Sequence, residues 1–377
     1  MIHRFRVRNF KSIVDVDVEL SPVTVLVGKS GTGKSNFVQA LRFLRDVLIS
    51  NQSLQQAWPR IRPAIPSGGP TTFEIEFSVA GIDERYQYEL YINQNGPSHY
   101  PENEILKLGD KILFHQDSVH TQQQRWRVAP KTIPAPTCGP IALGRIPGIS
   151  ESVIAYTALT SGIGCYIFSD SVLSRPETSN SATFGLADDG SNYLSVIKEI
   201  VTNLQELYKR KKMIAVLQHV NPSIALVELN DIQNPNSVVV GHKYQDKSFT
   251  LDLSQESDGF RRIYARLLAL YQRPPKQTLI FEHPEDGIHP QALELLAGEF
   301  KASPEQGRGQ VILTTHNPEL LNHFEADQIR VVENIGGETK IGFMADEQKE
   351  SVQEHLLAPG ELLTVDPARI RQQAVGV

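Results

Sequence analysis

Cysteine is scarce. Cys138 and Cys165 are the only two in 377 residues, too few for a disulfide framework or a cysteine-ligated metal cluster, and they fit a reducing cytoplasm. No apolar run approaches the ~20 residues that a membrane-spanning helix needs. The opening MIHRFRVRNF lacks the apolar core of a secretory signal. There is no tandem repeat and no sustained heptad pattern. Positive charge is not in excess: 37 Lys and Arg stand against 43 Asp and Glu, a net −6. No global basic field therefore draws the chain to nucleic acid, although a local basic face stays open. The expectation is a cytoplasmic globular chain with no membrane partner and two or three structural units.

What is present is strong local patterning. In VDVDVEL, Val14, Val16, Val18 and Leu20 alternate with acids, the period of a half-buried strand, and residues 2–8 offer it a partner. VTVLVG (23–28) is apolar throughout, as a strand buried on both faces is. A glycine-rich loop follows, then a helix with Phe37, Leu41, Leu44 and Leu48 on one face. Two alternating strands (73–79 and 86–92) and a hairpin over 104–116 turning at Gly109-Asp110 make an antiparallel sheet. Pro and Gly predict irregular backbone over 130–150. Residues 191–212 predict one helix, with Leu194, Ile197, Val201, Leu204 and Tyr208 spaced 3, 4, 3, 4 and a basic end, Lys209 to Lys212, suited to a helix C-terminus. Strands near 224–230, 237–244 and 248–253 precede alternating helices and strands to about residue 323. The last ~30 residues show no clear period.

GKSGTGKS (28–35) fits G-x-x-x-x-G-K-[ST] and lies between a buried strand and an amphipathic helix, the context that gives the motif its meaning. Gly28, Gly31 and Gly33 let the backbone of Lys29, Ser30, Thr32 and their neighbours turn N–H groups toward phosphate oxygens. The helix N-terminus at Ser35 and Asn36 adds partial positive charge. Lys34 can reach the β- and γ-phosphates of a nucleotide, and the Ser35 hydroxyl can ligate Mg²⁺.

Three later segments narrow the class. LSQESDGFRR (253–262) places Ser257-Asp258-Gly259 just before a helix. TLIFEHPEDGIHP (278–290) is a buried strand ending in Glu282, with His283 next. VILTTHNPELL (311–321) is a buried strand ending at His316. Taken singly, Ser257 and Asp258 suit a helix N-cap, and His316 suits a capping or core role. In this order, with FRVRNFKSI, GKSN and the DGSN stretch before residue 194, they resemble the stand-alone bacterial ATP-binding-cassette ATPases of the RecF, SMC and OLD kind. The resemblance covers roughly 1–56 and 153–345, with 57–150 matching loosely.

The resemblance implies an α/β P-loop NTPase of ABC-ATPase type, with a mixed central sheet, an antiparallel β subdomain and a helical insert. It suggests an ATP-binding lobe over 1–160, the insert and returning strands over 161–250, a lobe carrying the signature, acid-ended strand and switch histidine over 251–345, and a tail over 346–377. Ser257-Asp258-Gly259 would be the signature motif, facing ATP held by a second subunit. Ser35 and Glu282 would hold Mg²⁺, Asp286 to His289 would form the D-loop region, and His316 would be the switch histidine. His283 stands where a glutamate usually activates water. General-base help is worth ~10²–10⁴ in rate, so slow hydrolysis of tightly bound ATP is expected. Glu285 could assist, but Pro284 turns the chain between them.

Residues 36–256 lack the heptads of an SMC coiled coil, and residues 317–377 are too few for the nuclease domain of OLD proteins. The expectation is an ATPase head that forms a homodimer or higher oligomer and controls a separate effector or nucleic acid, with anti-phage defence as a setting. Two alternatives stand: an ATP-dependent scaffold with no turnover, and a DNA-repair head clamping duplex through Arg4, Arg6, Arg8, Lys11 and Lys209–Lys212.

Overall fold

The computed structural model describes residues 1–50, 59, 62–65, 68–93, 101–117, 125–128, 131–134, 143, 150–174, 185–203, 206–230 and 237–371. Cys138 lies outside them. The first part of the chain forms β1 (Ile2–Phe10), β2 (Ile13–Glu19), β3 (Val23–Val27), α1 (Lys34–Ile49), β4 (Thr71–Phe77), β5 (Tyr86–Ile92), β6 (Pro101–Leu108), β7 (Lys111–Asp117), β8 (Arg125–Val128), β9 (Lys131–Pro134) and α2 (Ser150–Leu159). Then come β10 (Ile163–Tyr166), α3 (Asp170–Leu173), α4 (Tyr193–Thr202), α5 (Leu207–Val220), β11 (Ile224–Leu229), β12 (Val238–Tyr244), β13 (Lys247–Asp252), α6 (Asp258–Tyr271), β14 (Thr278–Glu282), α7 (Pro290–Glu305), β15 (Gln310–Thr315), α8 (Pro318–Leu321), β16 (Ile329–Ile335), β17 (Glu338–Phe343) and α9 (Asp346–Gln353). The fold is α/β. No helix among the described residues is long and apolar enough to cross a membrane.

Two compact units divide the chain. One comprises 1–163, 326–357 and 365–377, and the other 164–325 and 358–364. In the first, an eight-stranded antiparallel sheet runs β2-β1-β4-β5-β6-β7-β8-β9. Phe5 sits opposite Val18 and Val7 opposite Val16, so alternation delivers an apolar face to the core. Phe5 meets Phe37 of α1 edge-on at 5.5 Å, and Phe43 stacks on Phe73 at 5.5 Å. On the other face Arg6 holds Asp15 at 2.9 Å, Arg8 reaches Asp15 and Glu74, and Arg4 pairs with Asp17. The Arg6 hydrogen bond holds the Asp15 carboxyl below its ordinary range. The arginines that favoured a DNA clamp are thus engaged with acids of their own sheet. The same unit pairs β3 parallel with β16, and β16 antiparallel with β17. That last hairpin has no counterpart in the sequence reading.

The second unit pairs β14 parallel with β15 and places β10 on the far side of β14. Phe281 of β14 packs between Tyr166 and Phe300, at 5.3 and 4.9 Å. A separate antiparallel sheet runs β11-β12-β13.

Three expectations need correction. Residues 131–134 are a strand paired with 125–128, because sheet pairing outweighs local Pro and Gly content. The helix expected over 191–212 is two helices. Asn203 leaves α4 with extended backbone, and Glu206 stands at the N-cap position of α5 without a side-chain cap hydrogen bond. The 3-4 spacing runs across the break, but Tyr208 is 74% exposed and continues no buried stripe. Lys209–Lys212 therefore lie in the opening turns of α5, where Lys209 pairs with Glu206 at 2.9 Å and Arg210 with Glu228 at 2.7 Å. Finally, the patternless C-terminal stretch includes α9. Gln348 fastens it by donating to Asp366 and accepting from the Arg369 N–H, a long-range polar contact that periodicity does not report.

Candidate functional site

The phosphate loop is built within the first unit. β3 is buried along its whole length and delivers the chain to Gly28, where an added Cβ would lie 2.2 Å from the Val332 carbonyl oxygen. Gly31 and Gly33 have φ of 81° and 106°, a region that side chains disfavour. Space above Gly31 is open. At Gly33 a Cβ would fall 1.9 Å from Thr339 Oγ1 of β17. That threonine donates to the Thr32 carbonyl at 3.0 Å and lies 2.6 Å from Ser12 Oγ, to which Asn36 donates. The loop is therefore clamped from below by residues the sequence did not single out.

Above, Gly33 caps α1 with no side-chain hydrogen bond. The first N–H groups of a 16-residue helix thus face outward at its positive end. Lys34 is 5% exposed and donates to the carbonyls of Gly28 and Lys29 at 2.7 and 2.9 Å. Lys29, Ser30 and Gly31 are exposed, Ser35 and Asn36 half-buried. A cradle open at Gly31, a lysine at its mouth and a hydroxyl on the first turn fit a magnesium-bound nucleoside triphosphate.

The second unit holds a different cluster. Glu282 ends β14 opposite Thr314 of β15. His283 follows with φ 45°, and its N–H donates to the Thr314 carbonyl and hydroxyl, both at 3.2 Å. Pro284 does turn the chain, but the turn brings Glu285 under the end of β15. Glu285 is 6% exposed, and its Oε1 accepts from the Thr315 hydroxyl at 2.8 Å and the His316 N–H at 3.2 Å. Burial would raise its pKa, but the His283 ring, backbone N–H groups and Thr315 outweigh that and hold the carboxyl below its ordinary range. His283 and His316 bring their Nδ1 atoms within 3.0 Å, with rings 4.7 Å apart. Glu285 Oε1 is 3.6 Å from the first and 3.7 Å from the second. Glu285 was a candidate to assist His283, with Pro284 turning the chain between them. It is the carboxylate both histidines share.

The Ser-Asp-Gly segment lies in the same unit. Ser257 is the N-cap of α6, its Oγ accepting from the Phe260 N–H at 3.2 Å, and its own hydroxyl hydrogen can still be donated. Asp258 holds Arg262 at 2.7 Å, and a Cβ on Gly259 would lie 3.2 Å from the Gly287 carbonyl oxygen. Gly259 and Gly287 therefore adjoin. Behind them Arg266 is 2% exposed, and burial, reinforced by Arg262, pushes its pKa down to about 9. Sequence reasoning missed Ser12, Arg266, Thr315 and Thr339. Only Thr315 left a signal, in the TTH that ends its strand.

A family model described as "AAA domain, putative AbiEii toxin, Type IV TA system" matches residues 23–322. The solved SMC head bound to the C-winged helix domain of ScpA is 13% identical, covering 92% of this chain and 99% of its own, with a TM-score of 0.56. The Smc head domain with an extended coiled coil from Pyrococcus furiosus, bound to the C-terminal domain of ScpA, gives the same identity and TM-score, over 94% and 99%. The SMC head domain from Thermotoga maritima is 12% identical over 90% and 97%, at 0.50. At such identities the likeness shows a shared fold. The OLD nuclease of Thermus scotoductus is 32% identical over 62 residues, 16% of this chain, which spans 10% of that relative.

Proposed function

The chain belongs to the AAA domain family that matches residues 23–322, and from that premise we propose that it is an ATP-binding switch that hydrolyses ATP slowly. The single observation that carries this is the phosphate loop, with Lys34 at its mouth and an α1 N-terminus that no side chain caps. MgATP supplies the triphosphate charge and the divalent cation. The chain supplies the rest: loop N–H groups to bind phosphate oxygens, Lys34 to balance charge and the Ser35 hydroxyl to hold Mg²⁺.

Slow turnover follows from His283. A carboxylate there would hydrogen-bond the attacking water as a fixed anion. An imidazole with its Nδ1 turned to His316 lacks that fixed charge and has only Nε2 left to face a water. Ser257 and Gly259 lie half-buried or exposed beside the Gly287 turn, suited to the nucleotide of a second copy. ATP then favours the closed pair, and loss of the γ-phosphate releases it. The output is control of a separate effector in the cytoplasm, with defence as the setting that the OLD likeness and the toxin–antitoxin family support. Calorimetric MgATP binding with steady-state phosphate release tests this. No binding would refute it.

A second reading, an ATP-dependent scaffold without turnover, is favoured by the same histidine pair. Binding with no phosphate release would select it. A duplex clamp is disfavoured by the acids that hold Arg4, Arg6 and Arg8.

A further inference from the structure

His283, Glu285 and His316 belong to two strand ends, yet their ligand atoms converge within 4.8 Å of one another. Two nitrogens and a carboxylate are the donor set of zinc and its transition-metal neighbours. Magnesium prefers oxygen throughout. Size agrees with type. Tetrahedral zinc, with bonds of about 2.0–2.1 Å, sets its ligands roughly 3.3 Å apart. The edges here are 3.0 Å between the two Nδ1 atoms and 3.6 and 3.7 Å from them to the Oε1 side of the Glu285 carboxylate. We propose that these residues form a zinc site, distinct from the magnesium carried with ATP.

Two further observations point to a ligand. Glu285 Oε2 is buried and has no hydrogen-bond partner, so the carboxylate keeps acceptor capacity that the protein does not use. A buried polar atom left so is costly, and a cation removes the cost. Moreover, the Thr315 hydroxyl and the His316 N–H both donate to Glu285 Oε1, which fixes the carboxylate, the kind of outer support that orients metal-ligating carboxylates, and leaves Oε2 as the oxygen with lone pairs to spare. With three protein ligands, a fourth position is left for water.

The test uses the full chain after chelator treatment, without nucleotide. Zn²⁺ is titrated by calorimetry and Co²⁺ by visible absorption. One equivalent per chain, tetrahedral cobalt bands and no displacement by excess Mg²⁺ are expected. His283→Ala and His316→Ala should each abolish the bands, with circular dichroism unchanged. Thr315→Val should weaken binding about tenfold or more by freeing Glu285. Lys34→Ala should bind metal normally while losing ATP, which separates this result from the nucleotide-switch reading. Equal Zn²⁺ affinity and stoichiometry in wild type and the His283→Ala/His316→Ala double variant would overturn the site.

Discussion

The Nδ1 atoms of His283 and His316 lie 3.0 Å apart, although the residues end different strands. Parallel pairing of β14 and β15, with Glu282 opposite Thr314, sets the two strand ends level. The positive φ of His283 then turns its side chain toward its partner. The position where the resemblance led one to expect a water-activating glutamate is thus tied to His316 and to Glu285.

That relationship governs the first prediction. His283→Glu should raise single-turnover phosphate release and change ATP affinity little, because a carboxylate can hold and deprotonate the attacking water. It should also cost stability, chiefly through repulsion from the Glu285 carboxylate, since the positive φ at this position already strains the histidine. Phosphate release and denaturant unfolding of both proteins check this. Rapid wild-type turnover that collapses in the variant would make the histidine itself the base.

Lys34→Ala should leave the fold intact and weaken MgATP binding by about 10²-fold or more, since it removes charge-assisted hydrogen bonds to phosphate. Calorimetry with the triphosphate is the direct measurement. Unchanged affinity would refute the loop assignment.

Gly31→Ala and Gly33→Ala should differ. Both force alanine into positive φ, worth about 1–2 kcal/mol. Only the second also drives a methyl into Thr339, at 1.9 Å from its Oγ1. Thermal unfolding should place Gly33→Ala well below Gly31→Ala. Equal melting temperatures would mean that Thr339 does not clamp the loop.

A non-hydrolysable ATP analogue should promote association, and Ser257→Arg should prevent it. Arginine also removes the N-cap of α6, worth about 1 kcal/mol, so Ser257→Asp, which keeps the cap but sets a negative charge toward phosphate, is the control. Sedimentation with ATP analogue and with ADP decides. If Ser257→Asp associates as wild type does, the signature does not meet nucleotide.

Arg266 gives a pH prediction. Its folded-state pKa of about 9 lies below that of an unfolded arginine. The unfolded chain therefore binds the proton more tightly. Stability is lost as pH falls through about 9, and the cost is constant at neutral pH. Arg266→Met should stabilise the protein by an order of a few kcal/mol, equally at pH 6 and 8. A loss of stability would show that Asp258, Glu285 and Asp286 repay the burial of its charge.

Much of the site was legible because it is local. Glycines in a fixed frame dictate the turn of residues 28–35, and alternation dictates which faces of β1 and β2 are buried, since neighbouring residues alone determine both. The break at Asn203 was not legible, because a 3-4 spacing is as compatible with two helices as with one. Nor was the C-terminal helix, held by Gln348 across to Asp366 and Arg369.

Sequence by itself determined the phosphate loop, the strand that enters it and the donors Glu282, His283 and His316, because spacing along a strand or turn specifies backbone direction over a few residues. Only the tertiary structure decided what those donors meet. Glu285 lies thirty residues from Thr315. Pairing of two parallel strands, and the turn at Pro284 that aims a buried carboxylate across their ends, bring the two within hydrogen-bond distance. That is a long-range packing outcome with no period for a sequence to display.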